Sequence, residues 1–226
     1  MIRHLPKILV LLIALGLVIF IIRKYQLFFT RRITCFTQFG PCHSSLTTLL
    51  ASFQNTDLSK ALPLTQIRRA LSPRTDIKEV KAYRRLPHTL VIAIILRQPV
   101  SSISDQVMGS SVDFDSEGVV FAGSTSAFPL IVYPQAFLPG QKVADPVLEA
   151  GLIMKKLSPL SPHRLIGYIN KDDLITSIRQ IEVVIGLKQQ PSSWLSSLQL
   201  ILDRSKMDSK TPKKIDLRFS QPVVTY

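Results

Sequence analysis

The strongest pattern in the chain is an unbroken run of apolar residues from position 8 to position 22. As a helix these 15 residues would span about 22 Å, and Leu5 and a snorkelling Lys7 would lengthen the run toward a hydrocarbon core of roughly 30 Å. A cleaved signal peptide is the alternative, because basic residues precede the run. The run ends in Arg23-Lys24-Tyr25 without a small-residue cleavage site, which favours an uncleaved anchor over residues 8–24, after a tail of residues 1–7.

Short helical and alternating patterns follow the apolar run. Leu46, Leu49, Leu50 and Phe53 recur at helical spacing, and Ser44 or Ser45 is available as the N-cap. Residues 89–97 are apolar on both faces, which predicts a central strand that is covered on both sides. The patterns predict a β-α-α-β-β order, with a strand over 33–37, helices over 46–53 and 65–71, and strands over 77–85 and 89–97.

The chain from Pro99 onward is richer in strand patterns. A helix is predicted from Asp145, with Pro146 in its first turn, and another after Pro191. Residues 206–214 are rich in lysine and predict a loop. Strands are predicted near Val107, over 112–114, 119–121, 130–133 and 181–187, and at the end of the chain, where Ile215, Leu217 and Phe219 alternate. This region therefore predicts a mixed β domain with two or more helices packed on a sheet.

The basic charge of the chain is concentrated at one end. Fifteen of the 28 Lys and Arg residues, but three of the 15 Asp and Glu residues, precede residue 100, so this segment carries +12 of the formal +13. Such a segment suits nucleic acid or an anionic membrane surface. Nucleic acid is disfavoured because Tyr83 is the one aromatic residue near the basic residues of 68–85, whereas single-strand binders use several. Attraction to lipid headgroups and an ordinary solvated face both remain open.

Several motifs between residue 78 and the end of the chain resemble those of one protein family. The segment KEVKAYRRLPHTLVIAIILRQPVSSI at 78–103 resembles the junction between the two extracytoplasmic domains of FtsQ/DivIB cell-division proteins. VDFDSEGVVF at 112–121 resembles the hairpin that follows, and KIDLRFSQPVV at 214–224 resembles the closing strand. The residues of the junction that fit the family pattern are Arg84 or Arg85, Pro87, Thr89, Leu90, Arg97, Pro99 and Val100.

The resemblance implies an α+β protein with four parts. These are a cytoplasmic tail over 1–7, a transmembrane anchor over 8–24, a POTRA domain over 25–98 and an FtsQ-type β domain over 99–226. It also implies a non-catalytic scaffold at the division septum of the bacterial inner membrane, with the N-terminus inside and the C-terminus outside. The expected partners are FtsB/DivIC- and FtsL-type proteins and the other proteins of the divisome. The flanking charges alone leave the orientation open, with Arg23, Lys24, Arg31 and Arg32 as the membrane-proximal basic group.

The terminal strand is the first candidate site. If it lies at a sheet edge, its unpaired backbone groups can accept a strand from a partner, and an exposed Arg218 would select that partner. The residues alone favour an ordinary closing strand, and the resemblance gives partner binding about equal support. The residues concerned are Ile215, Asp216, Leu217, Arg218, Phe219, Ser220, Gln221, Pro222, Val223 and Val224.

The remaining chemical signals are weak. Cys35 and Cys42 could close a small disulfide loop in an oxidising compartment or stay as free thiols, and their spacing fits no common zinc or redox motif. Residues 113–118 mimic half of a calcium loop, but a hairpin turn at Glu117-Gly118 explains the same residues. We expect no metal, no cofactor and no catalytic group. The alternatives are a POTRA-bearing protein of outer-membrane assembly or secretion, which would need a long barrel-forming region, and a membrane-anchored hydrolase, which would need a nucleophile motif.

Overall fold

The computed structural model describes residues 5–24, 30, 32–54, 64–85, 88–105, 111–122, 127–188, 191–207 and 210–226. In this part of the chain it has five α-helices and two β-sheets, so the predicted α+β class is confirmed. The chain divides into two compact units, Met1–Leu96 and Arg97–Tyr226.

The apolar run forms helix α1, Leu5–Lys24. The side chains of residues 11–21 are exposed along its length, for example Leu11 at 70% and Phe20 at 63%. Among the residues whose placement is described, no helix has both the length and the apolar character needed to cross a membrane.

The rest of the first unit is a four-stranded sheet with two helices on one face. The strand order is β2-β1-β4-β3, with β1 parallel to β4 and the other pairs antiparallel. A 3₁₀ turn over Ala51–Phe53 follows the first of the two helices. The elements are β1 Arg32–Thr37, β2 Gly40–Pro41, α2 Ser44–Leu50, α3 Leu64–Leu71, β3 Ile77–Arg85 and β4 Thr89–Leu96.

The core of this unit lies between the helices and one face of β4. Leu50 of α2 and Ile67 of α3 are fully buried against Leu90 and Ile92, and each such side chain stabilises the fold by about 1.5–3 kcal/mol. The central position predicted for β4 is confirmed. Its predicted coverage on both faces is confirmed in part, because α2 and α3 cover one face, whereas on the other face Val91 is buried and Ala93 is half-buried.

The N-cap of α2 also differs from the prediction. His43, rather than Ser44 or Ser45, precedes the helix, with an extended backbone at φ −62° and ψ 153°. Its Nδ1 atom accepts a hydrogen bond from the backbone N–H of Ser45 at 3.5 Å. Ser44 already has helical geometry, so it cannot occupy the cap position.

The second unit contains a nine-stranded sheet and two helices. The strand order is β13-β12-β11-β10-β9-β8-β5-β6-β7. Helix α4 begins at Asp145 as predicted, with Pro in its first turn. The strands are β5 Ser101–Asp105, β6 Ser111–Phe114, β7 Val120–Phe121, β8 Leu130–Tyr133, β9 Ile166–Asn170, β10 Asp173–Ile178, β11 Ile181–Gly186, β12 Lys214–Asp216 and β13 Val223–Thr225, with α4 Asp145–Leu157 and α5 Pro191–Met207.

Three strands of this sheet, β5, β9 and β10, have no counterpart in the prediction. The predicted strand near Val107 lies outside the described residues. The predicted loop over 206–214 is shorter than expected, because α5 continues to Met207 and β12 begins at Lys214. The core of the unit is formed by the inner face of the sheet and the buried faces of both helices, including Phe114, Met154 and Trp194.

Candidate functional site

The predicted terminal strand forms two strands instead of one. β12 ends at Asp216 and pairs with β11 on one side and β13 on the other, so it lies inside the sheet. β13, Val223–Thr225, is the strand at this edge of the sheet, and β7 is at the opposite edge. The prediction that residues 215–224 form one edge strand is therefore wrong, and the edge is confined to the last residues of the chain.

Strand β12 ends at Asp216 because the backbone N–H groups of the next two residues bond to groups outside the β12–β13 ladder. Leu217 is buried at 1% exposure and donates its backbone N–H to the carbonyl of Val184 at 2.8 Å. The backbone N–H of Arg218 donates to Asp216 Oδ1 at 3.1 Å, which closes a tight bend. Pro222 then precedes β13, where it cannot donate to a ladder.

Arg218 binds two carboxylates. Its Nη2 lies 2.6 Å from Asp216 Oδ2, and its Nη1 lies 3.0 Å from Asp173 Oδ2 in β10. The hydrogen bond from Arg218 holds the pKa of the Asp216 carboxyl below its ordinary value, and the bond to Asp216 raises the pKa of the guanidinium. The guanidinium also lies 5.7 Å from the centre of the Phe219 ring. Arg218 therefore fixes the terminal segment, and its side chain is exposed as the prediction required.

A cleft of about 740 Å³ lies beside the edge strand, between β13 and the end of α5. It combines basic side chains with apolar ones, next to backbone groups at the end of the sheet. Val224 is opposite the fully buried Ile215, so its side chain lies on the helix-covered face of the sheet. The lining includes Ile201 and Arg204 of α5, Lys210, Thr211, Val224 and Tyr226.

This arrangement suits an extended peptide. An edge strand offers backbone donors and acceptors to an incoming strand. The cleft beside it would receive an apolar or acidic side chain of that peptide, because Ile201 and Val224 are apolar and Arg204 and Lys210 are cationic. At the same edge, Tyr226 is 62% exposed and Val223 is 52% exposed.

The structure separates the predicted residues into buried and exposed groups. Ile215, Asp216 and Leu217 are buried, and Arg218 is held by carboxylates. Phe219, Ser220 and Gln221 are exposed on the bend, and Val223 and Val224 belong to the edge strand. Residues that the prediction missed are Thr225, Tyr226 and the cleft residues of α5. The available signal was the pair of basic residues in the last turn of α5, Arg204 and Lys206.

The other predicted residues lie in the first unit. A disulfide joins Cys35 of β1 to Cys42, which follows β2, and the backbone N–H of Cys42 donates to the carbonyl of Cys35 at 3.1 Å. Cys35 is buried in the core. Arg32 is exposed at the start of β1. Arg31 lies outside the described residues, as do the side chains of Arg23 and Lys24, whose backbone belongs to α1.

Asp115 and Glu117 lie in the turn of a hairpin, and Asp113 lies in its first strand, β6. Asp115 Oδ1 accepts the backbone N–H groups of Glu117 and Val119, each at 2.9 Å, and Gly118 has a φ of 76°. The carboxylate of Asp115 is also paired with the guanidinium of Arg97. Among the described residues, no group of three or more His, Cys, Asp or Glu side chains could hold a metal ion.

Comparison with known proteins assigns no family. No protein-family model matches the chain, and no curated protein matches it.

Proposed function

We propose that this protein is a non-catalytic, single-pass membrane scaffold of the bacterial divisome, of the FtsQ/DivIB type. In this proposal residues 8–24 are the anchor, residues 25–98 are a POTRA domain, and residues 99–226 are an extracytoplasmic β domain. FtsB/DivIC- and FtsL-type proteins are the partners, and strand addition at β13 is the mode of binding. The protein would lie at the septum with its N-terminus in the cytoplasm.

The observation that carries the proposal is the position of β13 at the end of a nine-stranded sheet. Antiparallel strands alternate between residues that bond to the neighbour and residues whose backbone groups point away from it. At an edge the second set can bond to an added strand. The exposed Val223 and Tyr226 and the adjacent cleft supply side-chain contacts beside these backbone bonds.

The proposed anchor is supported by the surface of α1. Residues 11–21 of this helix are apolar and exposed, and exposing such side chains to water is unfavourable by about 1.5–3 kcal/mol for each large one. A hydrocarbon environment removes this cost. The order of elements after α1 supports the POTRA proposal, because β1, α2, α3, β3 and β4 follow the β-α-α-β-β order predicted from the residue patterns, with the two-residue strand β2 added after β1.

Site-specific photocrosslinking would test strand addition at β13. A benzoyl-phenylalanine at Tyr226 (Tyr226→Bpa) is expected to crosslink to a co-expressed FtsB/DivIC-type partner. Tyr168→Bpa is the matched control, because Tyr168 is a similarly exposed tyrosine on β9, away from the sheet edge.

A truncation provides the second measurement. Removing residues 223–226 is expected to abolish co-purification of the partner while the far-UV circular dichroism is retained. A folded truncation that still binds the partner, or equal crosslinking from Tyr168 and Tyr226, would show that β13 is not the binding site.

A further inference from the structure

The sheet of the first unit has one face that α2 and α3 leave open. The register places Tyr83 of β3, Val91 of β4 and Thr34 of β1 in one row across this face. Lys81, Ala93 and Phe36 form the next row. We call the face formed by these two rows, together with the adjoining row of Arg85, Thr89 and Arg32, the open face.

Two aromatic rings stand out from the open face. Phe36 is 44% exposed and Tyr83 is 52% exposed, although both belong to regular strands. Between them, Ala93 is half-buried and Val91 is buried. The centre of the face is therefore apolar, with an aromatic residue on the strand at each side.

The charged residues of the open face are mainly basic. Arg32 and Arg85 flank Thr89 at the end where β1 begins, and Lys81 adjoins the aromatic rows. All three basic side chains are exposed. Glu79, further along β3, is the acidic residue beside them, and it pairs with Lys81 at 3.3 Å. The face thus carries net positive charge around an apolar centre.

A short stretch of chain links α1 to the row of Arg85, Thr89 and Arg32. The helix ends at Lys24 and β1 begins at Arg32. A connection of this length spans at most about 29 Å when fully extended. If α1 is anchored in a membrane, the end of the sheet that carries Arg32 and Arg85 must stay within that distance of the bilayer.

We propose that the open face is a second membrane contact that binds anionic lipid headgroups. Arg32, Arg85 and Lys81 pair with lipid phosphates, and the rings of Tyr83 and Phe36 enter the interfacial layer, where aromatic residues are favoured. This inference rests on the proposed anchor. The open-face contact lies in the first unit and binds lipid, whereas the proposed strand addition lies in the second unit and binds a protein partner.

An environment-sensitive fluorophore on the open face would test this contact. The full chain is reconstituted into vesicles of phosphatidylcholine alone or mixed with phosphatidylglycerol, with a nitrobenzoxadiazole label on Tyr83→Cys and the Cys35–Cys42 disulfide kept oxidised. The matched control carries the label on Thr48→Cys, an exposed position of α2 on the opposite side of the sheet. The label at position 83 is expected to shift to the blue and to be quenched by spin-labelled lipid in the anionic vesicles, and the label at position 48 is not.

Removing the basic charges of the open face is the second test of the lipid contact. The triple variant R32Q/K81Q/R85Q is expected to lose the blue shift at position 83 and to resemble the wild-type chain in neutral vesicles. A blue shift at position 83 that survives the triple substitution, or that is equal at positions 48 and 83, would overturn the proposal.

Alkaline carbonate extraction of the same vesicles distinguishes a failure of the proposed open-face contact from a failure of the proposed anchor. Protein that stays in the membrane fraction without a blue shift at position 83 would contradict the open-face contact and leave the anchor supported. Protein that is extracted by carbonate would contradict the anchor itself, and with it the membrane contact that depends on it.

Discussion

Arg218 and Asp173 are 45 residues apart in the chain, and their side chains meet at 3.0 Å. The contact joins the bend after β12 to the first residue of β10. Because Arg218 also binds Asp216, one guanidinium fixes the route of the chain between β12 and the edge strand β13. The position of the proposed binding edge therefore depends on this side chain.

Arg218→Gln should weaken the acid sensitivity of the second unit. The hydrogen bond from Arg218 lowers the pKa of Asp216 below its ordinary value of 3.8. Stability from the ionised Asp216 is therefore fully present above pH 3.8 and is lost as the pH falls through the lower folded-state pKa. The variant should have a lower free energy of unfolding at neutral pH and a smaller further loss in acid.

Urea denaturation at neutral and acidic pH, followed by the fluorescence of Trp194, would measure this. Lys206→Gln is the control, because its ion pair with Asp203 is exposed and short-range and such pairs contribute little. Equal pH dependence in wild type and Arg218→Gln would contradict the assigned role of Arg218.

The losses in the free energy of unfolding caused by Ser102→Ala and by Ser101→Ala should depend differently on pH. Ser102 Oγ donates to the buried carboxylate of Asp113 at 2.6 Å, whereas Ser101 Oγ donates to the carbonyl of Pro129 at 2.7 Å. Burial raises the pKa of Asp113 above 3.8, and the Ser102 hydrogen bond opposes that rise. Stability linked to Asp113 is therefore fully present below pH 3.8 and is lost as the pH rises through the folded-state pKa.

Removing the Ser102 hydroxyl raises that pKa further, so the loss with rising pH becomes larger. We expect Ser102→Ala to lower the free energy of unfolding by about 2 kcal/mol at neutral pH and by less in acid. Ser101→Ala should lower it by about 1 kcal/mol at both values. Denaturation curves in which the two variants respond alike to pH would show that Asp113 is not the titrating group.

Gly151→Ala should destabilise the second unit although it lies within helix α4. An added Cβ would overlap Cζ of Phe114, a ring that is fully buried. Overpacking of this kind costs about 1–3 kcal/mol, and the better helix propensity of alanine returns about 1 kcal/mol. Because the contact is very short, the upper end applies, and we expect a net loss of about 2 kcal/mol in thermal or urea unfolding.

Gly167→Ala is the comparison for that substitution. Its Cβ would meet the ends of Leu174 and Met154 at 2.9 and 3.1 Å, and the flexible Met154 can move aside. The loss should be smaller than for Gly151→Ala, and the reverse order would contradict the packing around Phe114.

Replacing both cysteines, Cys35→Ala with Cys42→Ala, should destabilise the first unit. The disulfide closes a short loop around β2, with a sequence separation of 7. Loop-closure entropy for about eight residues corresponds to about 2.5 kcal/mol. Far-UV circular dichroism during urea denaturation would measure the loss, and reduction of the wild type with dithiothreitol should reproduce it. A reduced wild type as stable as the oxidised form would contradict the prediction.

The elements of the first unit were largely predictable because their patterns are local. The strand over 77–85 and the helix over 65–71 are read from alternating or helical spacing next to prolines, and the structure places them within one residue of those bounds. The N-cap could not be read in the same way. Serine at positions 44 and 45 satisfied the usual preference, but the extended backbone of His43 decides where the helix begins.

The hairpins formed by β9, β10 and β11 were missed for a physical reason. The turn between β10 and β11 places Arg179 and Gln180 at φ values of 53° and 70°, where Asn or Gly is usual. Without that turn signal, β9 and β10 could not be separated from their surroundings. At the other end of the unit, Ile215, Leu217 and Phe219 alternate as in a single strand, and the bend at Arg218 depends on Asp173, which the local pattern does not contain.

The sequence by itself determined the apolar run, the basic first segment, the α+β class and most of the local elements, because each follows from the order of neighbouring residues. The tertiary structure alone decided which strand is at the edge of the second sheet, which residues line the cleft beside it, and which face of the first sheet is left open. These features depend on contacts between residues far apart in the chain, such as Arg218 with Asp173 and Thr34 with Val91. Periodicity specifies the face on which a side chain lies, but strand order and register determine its neighbours.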